Sequence, residues 1–170
     1  MRSVTRVMVL LPTVLLAATR PIPGQTPKDY PAFYVVAEYD ETRDPAVDMA
    51  GAVERAQEEG KRILVVVGGE WCGWCKLLED FIRNTPEVHE AVDTGFLIVK
   101  VNWSRGNPNE AFLGLYPAIR GYPHIFVLEK DGTFLHSQST GELEEGRSYN
   151  LGAVLGFLDR WKPSAGVRGL

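Results

Sequence analysis

The sequence lacks several features that would assign it to a functional class. It has only two cysteines in 170 residues, so no framework of several disulfides holds the chain together. Its formal net charge is −4, which gives no electrostatic basis for binding nucleic acid. Three scattered histidines, His89, His124 and His136, do not form the ligand pattern of a metal site. The composition, 45% hydrophobic, suits one globular domain with a real core.

The apolar run near the N-terminus is too short for a comfortable membrane span. It covers residues 7–18, about a dozen residues where a bilayer needs about 20. Arg2 and Arg6 precede the run, and small residues end it, which is the pattern of a signal peptide. We therefore expect residues 1–18 to be a signal peptide cleaved near Thr19, and the protein to be exported, with a retained anchor as the alternative.

Both cysteines lie in the pentapeptide Trp71-Cys72-Gly73-Trp74-Cys75, shortly after an unbroken apolar run. That run, residues 63–67, is mostly β-branched and predicts a central strand buried on both faces of a mostly parallel sheet. Thiols at positions i and i+3 share one helix face and can close a small disulfide ring. Cys72 would lie at the helix N-terminus, where free N–H groups lower the pKa of a thiol. The arrangement predicts a redox-active pair.

Two other interpretations of the cysteine pair stay open at this stage. The pair could be a structural disulfide, although so short a loop removes little entropy from the unfolded chain. It could also bind zinc or copper, although one CxxC motif supplies too few ligands. Redox exchange is the interpretation that the sequence favours.

The rest of the chain predicts an α/β domain over residues 32–163, between a flexible leader (19–31) and a mobile tail (164–170). Strands are predicted at 33–37, 63–67, 96–102, 124–129 and 133–138, the last two forming a hairpin with an Asp-Gly turn. A polar loop follows the hairpin. Predicted helices begin at five N-terminal signals, which are Asp44, Cys72, Thr85, Asn107 (with Glu110 at the third helical position) and Asn150.

This order of elements, with Trp-Cys-Gly-Trp-Cys-Lys at 71–76 and Arg-Gly-Tyr-Pro at 120–123, resembles the thioredoxin superfamily over about residues 47–161. The motifs look most like exported thioredoxin-like proteins related to the reductase-type domains of bacterial envelopes. The resemblance implies an α/β thioredoxin fold, with a central mixed sheet flanked by helices. It also implies a protein-disulfide oxidoreductase that uses no organic cofactor and no metal.

The resemblance implies a substrate groove beside the cysteines. In the family, the proline that corresponds to Pro123 is cis and faces the CxxC motif. A cis proline removes one backbone N–H and leaves the neighbouring backbone groups free to pair with an extended substrate. Tyr122 would bind a substrate backbone, and Trp71, Gly73 and Trp74 would complete the groove. An ordinary trans proline at the start of a strand is the alternative.

Two positions depart from the family pattern. Val66 stands where thioredoxin has a buried acid beneath the second cysteine, so deprotonation of Cys75 must use another group. Lys100, which matches a lysine of the family, and Glu70 are candidates for tuning the pair, or else ordinary surface charges. Trp74 stands where relatives commonly have proline or histidine. The absence of histidine there removes one argument for a strong oxidant.

The sequence therefore predicts an exported oxidoreductase, more a reductant than an oxidant. Cys72 attacks a disulfide of a protein substrate, and Cys75 resolves the mixed disulfide. Partners would be protein disulfides and a thiol donor or acceptor, without nucleic acid and without a stable membrane span. Two alternatives are a non-catalytic binding or chaperone-like module and a copper-handling protein.

Overall fold

The structure is a computed structural model, and it describes residues 29–164. The predicted signal peptide, nearly all of the predicted leader and all of the predicted tail beyond Ser164 lie outside the described residues and stay predictions. The described part contains a five-stranded mixed sheet. Its strands are β1 (Tyr34–Val36), β2 (Arg62–Gly68), β3 (Phe96–Asn102), β4 (His124–Leu128) and β5 (Phe134–Ser139). The helices are α1 (Pro45–Glu59), α2 (Gly73–Asn84), α3 (Pro86–Gly95), α4 (Glu110–Leu113) and α5 (Leu151–Trp161).

Strand β2 lies at the centre of the sheet, as its unbroken apolar sequence predicts. The strand order is β1-β3-β2-β4-β5. Strands β1, β3 and β2 run parallel, whereas β4 is antiparallel to β2 and β5 is antiparallel to β4. The C-terminal half of the sheet is thus the predicted hairpin. The mixed α/β architecture expected from the sequence is confirmed.

Alternate residues of the central strands supply two cores, one on each face of the sheet. Leu64 and Val66 of β2 face the core that α2, α3 and α5 cover. Ile63, Val65 and Val67 face the core that α1 covers. Because the side-chain period of a strand is two, Lys100 of β3 lies on the same face as Phe96 and Ile98, which is the α2 face.

Helix α1 has both ends that the sequence predicts. The Asp44 side chain accepts a hydrogen bond from the N–H of Ala46, and Pro45 occupies the first helical position. Gly60 ends the helix with φ of 68°, in the left-handed region that glycine adopts most easily. None of the helices within residues 29–164 is long and apolar enough to cross a membrane.

Helix α4 begins later than the sequence predicts, and the expected N-cap at Asn107 is wrong. The Asn107 side-chain amide donates to the carbonyl of Glu41, 2.7 Å away, and its oxygen accepts from the N–H of Asn109. The side chain therefore holds the loop and caps no helix. Asn109, in the left-handed conformation, precedes the single turn of α4.

The predicted polar loop after β5 is more ordered than expected. It contains a 3₁₀ turn (Thr140–Leu143) and two short antiparallel strands, β6 (Glu144–Glu145) and β7 (Ser148–Tyr149). Leu143 and Tyr149 are buried in the α2 core, so this polar segment has two apolar anchors. The Thr140 hydroxyl donates to the carbonyl of Pro123 at 2.6 Å, which ties the segment to the start of β4.

Arg62 fastens the end of the sheet where β2 begins. Its guanidinium donates to the Glu129 carboxylate at 3.0 and 3.1 Å. It also donates to the carbonyls of Trp161 and Lys162 at the end of α5, at 3.0 and 3.1 Å. One side chain thus satisfies carbonyls that a helix C-terminus leaves unpaired.

Candidate active site

The two cysteines form a disulfide at the other end of β2. The strand ends at Gly68, and α2 begins at Gly73, so a short loop carries the first cysteine. Cys72 is the N-cap of α2, and its sulfur accepts from the N–H of Cys75 at 3.2 Å. The Cα atoms of Cys72 and Cys75 are 5.2 Å apart. The strand, turn and helix arrangement predicted around the pair is confirmed.

The disulfide is nearly buried against the end of β2. Cys72 is 5% exposed and Cys75 is 2% exposed. A Cβ atom added to Gly68 would lie 2.4 Å from the Cys75 sulfur, so any side chain at Gly68 would collide with the disulfide. Gly73 is exposed, and a Cβ atom there would meet open space. An approaching group therefore has access to the pair from the side of Gly73.

Three aromatic rings, Trp71, Trp103 and Tyr122, form an aromatic cluster beside the disulfide. Trp103 stacks on Tyr122 with ring centroids 4.9 Å apart, and Trp71 meets both rings edge-on at 5.9 and 5.6 Å. The Trp71 indole N–H donates to the Trp103 carbonyl at 2.9 Å. Trp71 remains 56% exposed, which is unusual for tryptophan. The cluster presents an aromatic surface to solvent next to Cys72.

Trp103 is a site residue that was not predicted from the sequence. Strands β2 and β3 are parallel, and Gly68 pairs with Asn102, so the residues that follow the two strands meet at one edge of the sheet. The adjacency of parallel strand ends is the signal that could have placed Trp103 beside Trp71.

Trp74 lies on the other side of the pair and packs inward. Its ring meets Tyr149 edge-on with centroids 5.7 Å apart, and the Tyr149 hydroxyl donates to the Trp74 carbonyl at 3.3 Å. Burial raises the pKa of Tyr149, so its hydroxyl stays a neutral donor. The segment after β5 therefore supports Trp74, the residue directly before Cys75.

The Tyr122–Pro123 peptide bond is cis, as the family resemblance implies. Val67 pairs with His124, so the preceding Pro123 lies at the same end of the sheet as Gly68. Tyr122 packs against the cluster that contains the two cysteines. Their roles in binding substrate remain proposals.

Lys100 and Glu79 lie behind the disulfide, on the α2 face of the sheet. Val66 and Lys100 are register partners on neighbouring strands. The Lys100 ammonium lies 2.6 Å from a Glu79 carboxylate oxygen, and the two side chains are 4% and 12% exposed. A cavity of about 10 Å³ separates this ion pair from Cys75, and Val66 is part of its wall. Val66, which stands where thioredoxin has a buried acid, therefore borders the same cavity as the Glu79 carboxylate of α2.

Tyrosine rings surround the Lys100 ammonium. Its nitrogen lies 5.6, 5.5 and 5.1 Å from the ring centroids of Tyr30, Tyr34 and Tyr39. These distances suit cation–π attraction, which adds to the ion pair with Glu79. Lys100 is therefore held on several sides within the core.

Of the two residues predicted to tune the cysteine pair, Lys100 lies close to it and Glu70 does not. Lys100 shares the small cavity with Cys75. Glu70 is exposed and lines an outer cleft of about 300 Å³ with Lys76 and Asp80. Glu79 lines both the small cavity and the outer cleft, and it was not among the site residues predicted from the sequence. Its position four residues after Cys75, on the same helix face, was the available signal.

Within the described range, no group of three or more His, Cys, Asp and Glu side chains is arranged to hold a metal ion. The groups gathered at this end of the sheet are a disulfide, an aromatic cluster and a buried ion pair. The cysteine pair can give up or take up two electrons by disulfide exchange. The aromatic cluster beside it offers a surface that suits a peptide.

A model of the thioredoxin-like family matches residues 44–130, about half of the chain. The thiol:disulfide interchange protein DsbD of Pseudomonas fluorescens is 28% identical over 128 residues, which are 74% of this chain and 20% of that protein. DsbD of a Pseudomonas species is 26% identical over 155 residues, which are 90% of this chain and 24% of that protein. The chain thus spans about a quarter or less of the length of these relatives.

Solved structures give a similar result. A disulphide isomerase from Xylella fastidiosa is 25% identical, with a TM-score of 0.62 over 72% of this chain and 94% of that one. The C-terminal domain of DsbD from Neisseria meningitidis, in its oxidised form, is 22% identical, with a TM-score of 0.52 over 74% of this chain and all of that one. The second likeness bears on the fold alone.

Proposed function

Since the chain belongs to the thioredoxin-like family and has the thioredoxin fold, we propose that it is an oxidoreductase that exchanges disulfides with protein substrates. The observation that carries the proposal is the Cys72–Cys75 disulfide at the N-terminus of α2, beside an exposed aromatic cluster. The names of the DsbD relatives and of the Xylella isomerase describe disulfide exchange in those proteins. Because the DsbD proteins are much longer, the partners proposed for this chain follow from its own site.

In the proposed reaction, the Cys72 thiolate attacks one sulfur of a substrate disulfide. A bond forms between Cys72 and that sulfur, the substrate disulfide breaks, and the other substrate sulfur leaves as a thiolate that takes up a proton. Cys75 then loses a proton and attacks the Cys72 sulfur, which releases the second substrate thiol. Two electrons pass from the cysteine pair to the substrate. A dithiol donor afterwards reduces the Cys72–Cys75 disulfide.

The proposed substrate site combines the predicted groove residues with the aromatic cluster. Tyr122 packs against the cysteine cluster and meets Trp71 edge-on, whereas Gly73 leaves the approach open and Trp74 packs on Tyr149. Pro123, at the same end of the sheet, is proposed to complete this side of the groove. The rings offer apolar surface to residues that flank the substrate cysteine, at low cost in conformational entropy. Backbone groups next to Pro123 are the proposed partners of the substrate main chain.

Replacing Trp103 with alanine is expected to raise KM for a disulfide-containing peptide about fivefold, with little change in kcat. The variant removes the ring that stacks on Tyr122 and supports Trp71, and such aromatic pairs contribute about 1 kcal/mol. Steady-state kinetics measure the effect. Phe134→Ala is the control, because this half-exposed ring lies on β5, away from the cysteines. An unchanged KM for the Trp103 variant would contradict the prediction.

Insulin-disulfide reduction tests the proposed activity itself. The wild-type protein should reduce insulin with multiple turnovers when dithiothreitol is supplied, at a rate well above dithiothreitol alone. A binding or chaperone-like module would give no turnover. Stoichiometric copper binding by the reduced protein, without turnover, would favour the copper-handling alternative.

We further propose that the protein works as a reductant. The second of the two residues between the cysteines is Trp74, which cannot stabilise a thiolate as a histidine does. Equilibration with glutathione should give a reduction potential nearer the roughly −270 mV of thioredoxin than the roughly −120 mV of a strong oxidant. A potential above about −180 mV would assign the protein to oxidation or isomerisation instead.

The proposed location is outside the cytoplasm, in the periplasm or an equivalent compartment. The proposal rests on the signal-like residues 1–18 and on the use of both cysteines for one exchangeable pair.

A further inference from the structure

The Tyr39 hydroxyl is buried beside the disulfide and has no hydrogen-bond partner among the described residues. Tyr39 is 8% exposed, and within residues 29–164 nothing accepts from or donates to its oxygen. The ring belongs to the same buried cluster as Cys72 and Cys75. A Cβ atom built on Gly68 would lie 2.4 Å from the Cys75 sulfur and 3.0 Å from the Tyr39 oxygen. Both atoms therefore border the same small space.

An unpartnered hydroxyl in a protein core is unfavourable, and buried tyrosine hydroxyls normally find a partner. The sulfur of a disulfide is a weak acceptor. A thiolate carries a full negative charge and accepts strongly, because hydrogen bonds to charged groups are about twice as strong as neutral ones. The hydroxyl is thus placed where opening the disulfide would supply the acceptor that it lacks.

We propose that Tyr39 donates a hydrogen bond to the Cys75 sulfur when the disulfide is reduced, and thereby stabilises the reduced form of the pair. This inference rests on the proposed function. Tyr39 raises the reduction potential of the pair above the value that it would otherwise have, and it stabilises Cys75 as the thiolate that resolves the mixed disulfide.

Two further features suit this role. The cavity of about 10 Å³ is lined by Cys75, Tyr39 and Lys100, so the freed Cys75 sulfur has room on the side of the hydroxyl. The Lys100 ammonium, 5.1 Å from the centroid of the Tyr39 ring, helps to hold that ring in place. Burial, with the nearby Glu79 carboxylate, raises the pKa of Tyr39 well above its ordinary value, so the hydroxyl keeps its proton.

The redox step balances without any further reactant. A dithiol donor transfers two electrons and two protons to the Cys72–Cys75 disulfide. One S–S bond breaks here, and one forms in the donor. Cys75 then releases its proton to solvent water, which gives the thiolate that Tyr39 stabilises. Tyr39 itself gains and loses no electron, and its proton is shared in the hydrogen bond without being transferred.

The test is Tyr39→Phe, which keeps the ring and removes the hydroxyl. In equilibrium with glutathione, the variant should favour the disulfide form about tenfold more than the wild type, a potential lower by about 30 mV. The melting temperature of the oxidised variant should be unchanged or higher, because only an unpartnered hydroxyl is lost. The melting temperature of the reduced variant should fall relative to the reduced wild type.

Tyr34→Phe is the matched control. Its hydroxyl is also buried without a partner in the part of the chain that the structure describes. Its ring also faces Lys100 at 5.5 Å, and it lines the same cavity. Tyr34 is not in the buried cluster of Tyr39, Cys72 and Cys75. The equilibrium constant of the Tyr34→Phe variant with glutathione should therefore stay within twofold of the wild-type value. The proposal is overturned if the equilibrium constant of Tyr39→Phe also stays within twofold of the wild-type value, or if both variants change that constant equally.

The proposed function and the proposed role of Tyr39 can be overturned by different experiments. A wild-type protein that does not turn over insulin would overturn the proposed function. The glutathione equilibrium needs only the cysteine pair and no substrate turnover, so it tests Tyr39 independently.

Discussion

Replacing Cys75 with serine is expected to stop turnover and to leave the protein joined to its substrate through Cys72. In the proposed reaction the first attack still occurs, but the group that would release the product is absent. Insulin reduction should fall by roughly 10³-fold or more, the scale expected when a nucleophile is lost. A mixed disulfide should then appear on non-reducing gels, and mass spectrometry should place it at Cys72.

The reverse variant, Cys72→Ser, is the control and should trap no substrate. Cys72 caps α2, where the partial positive charge of the helix end favours a thiolate. Cys75 is the more deeply buried of the two, at 2% exposure. Alkylation of the reduced wild-type protein at mildly acidic pH should therefore label Cys72 first. Faster labelling of Cys75 would reverse the assignment of nucleophile and resolving cysteine.

The second large effect is expected on stability, from Lys100→Met. The ammonium is 2.6 Å from the Glu79 carboxylate, and the lysine side chain is 4% exposed. The variant takes the 2.6 Å contact from the Glu79 carboxylate and leaves it the longer 3.4 Å contact to Arg83. Breaking a buried pair in this way costs roughly 3 kcal/mol. Urea unfolding of the oxidised protein measures the loss. The double variant Glu79→Leu/Lys100→Met should recover most of it, because it removes both charges and keeps apolar volume.

Lys162→Met is the matched control, because it makes the same change at an exposed pair. The side chains of Lys162 and Asp159 are 63% and 72% exposed. Such a pair contributes at most about 1 kcal/mol, so the free energy of unfolding of this variant should stay within about 1 kcal/mol of the wild-type value. Equal losses for the Lys100 and Lys162 variants would show that the buried pair has no special role in stability.

The sequence predicted the elements whose signals are local. Strand β3 begins and ends where its apolar run does, and α1 begins at its Asp44 cap and ends at Gly60. The central place of β2 follows from a run without alternation. The Asn107 cap failed because a side chain that can cap a helix can equally fix a loop, and only the tertiary contact with Glu41 decides between them.

The surroundings of the cysteines could be predicted only in part. The CxxC motif and Pro123 are readable as patterns, whereas Tyr39 lies between β1 and α1 without any periodic signal. Tyr39 comes close to Cys75 through the sheet, because β1 pairs with β3 and β3 pairs with β2. Such a contact between segments distant in the chain depends on strand order, which a single sequence specifies weakly.

The bonds that Arg62 makes to Glu129 and to the end of α5 have a practical consequence for measuring electron exchange. Strand β2 spans about 20 Å from Arg62 to Gly68, and the disulfide lies at the far end. A bead or electrode linked to the protein near Lys162 would hold the molecule at the end where Arg62 makes these bonds. The end of the molecule that carries Cys72 and the exposed Gly73 would then face the solution, open to a soluble partner.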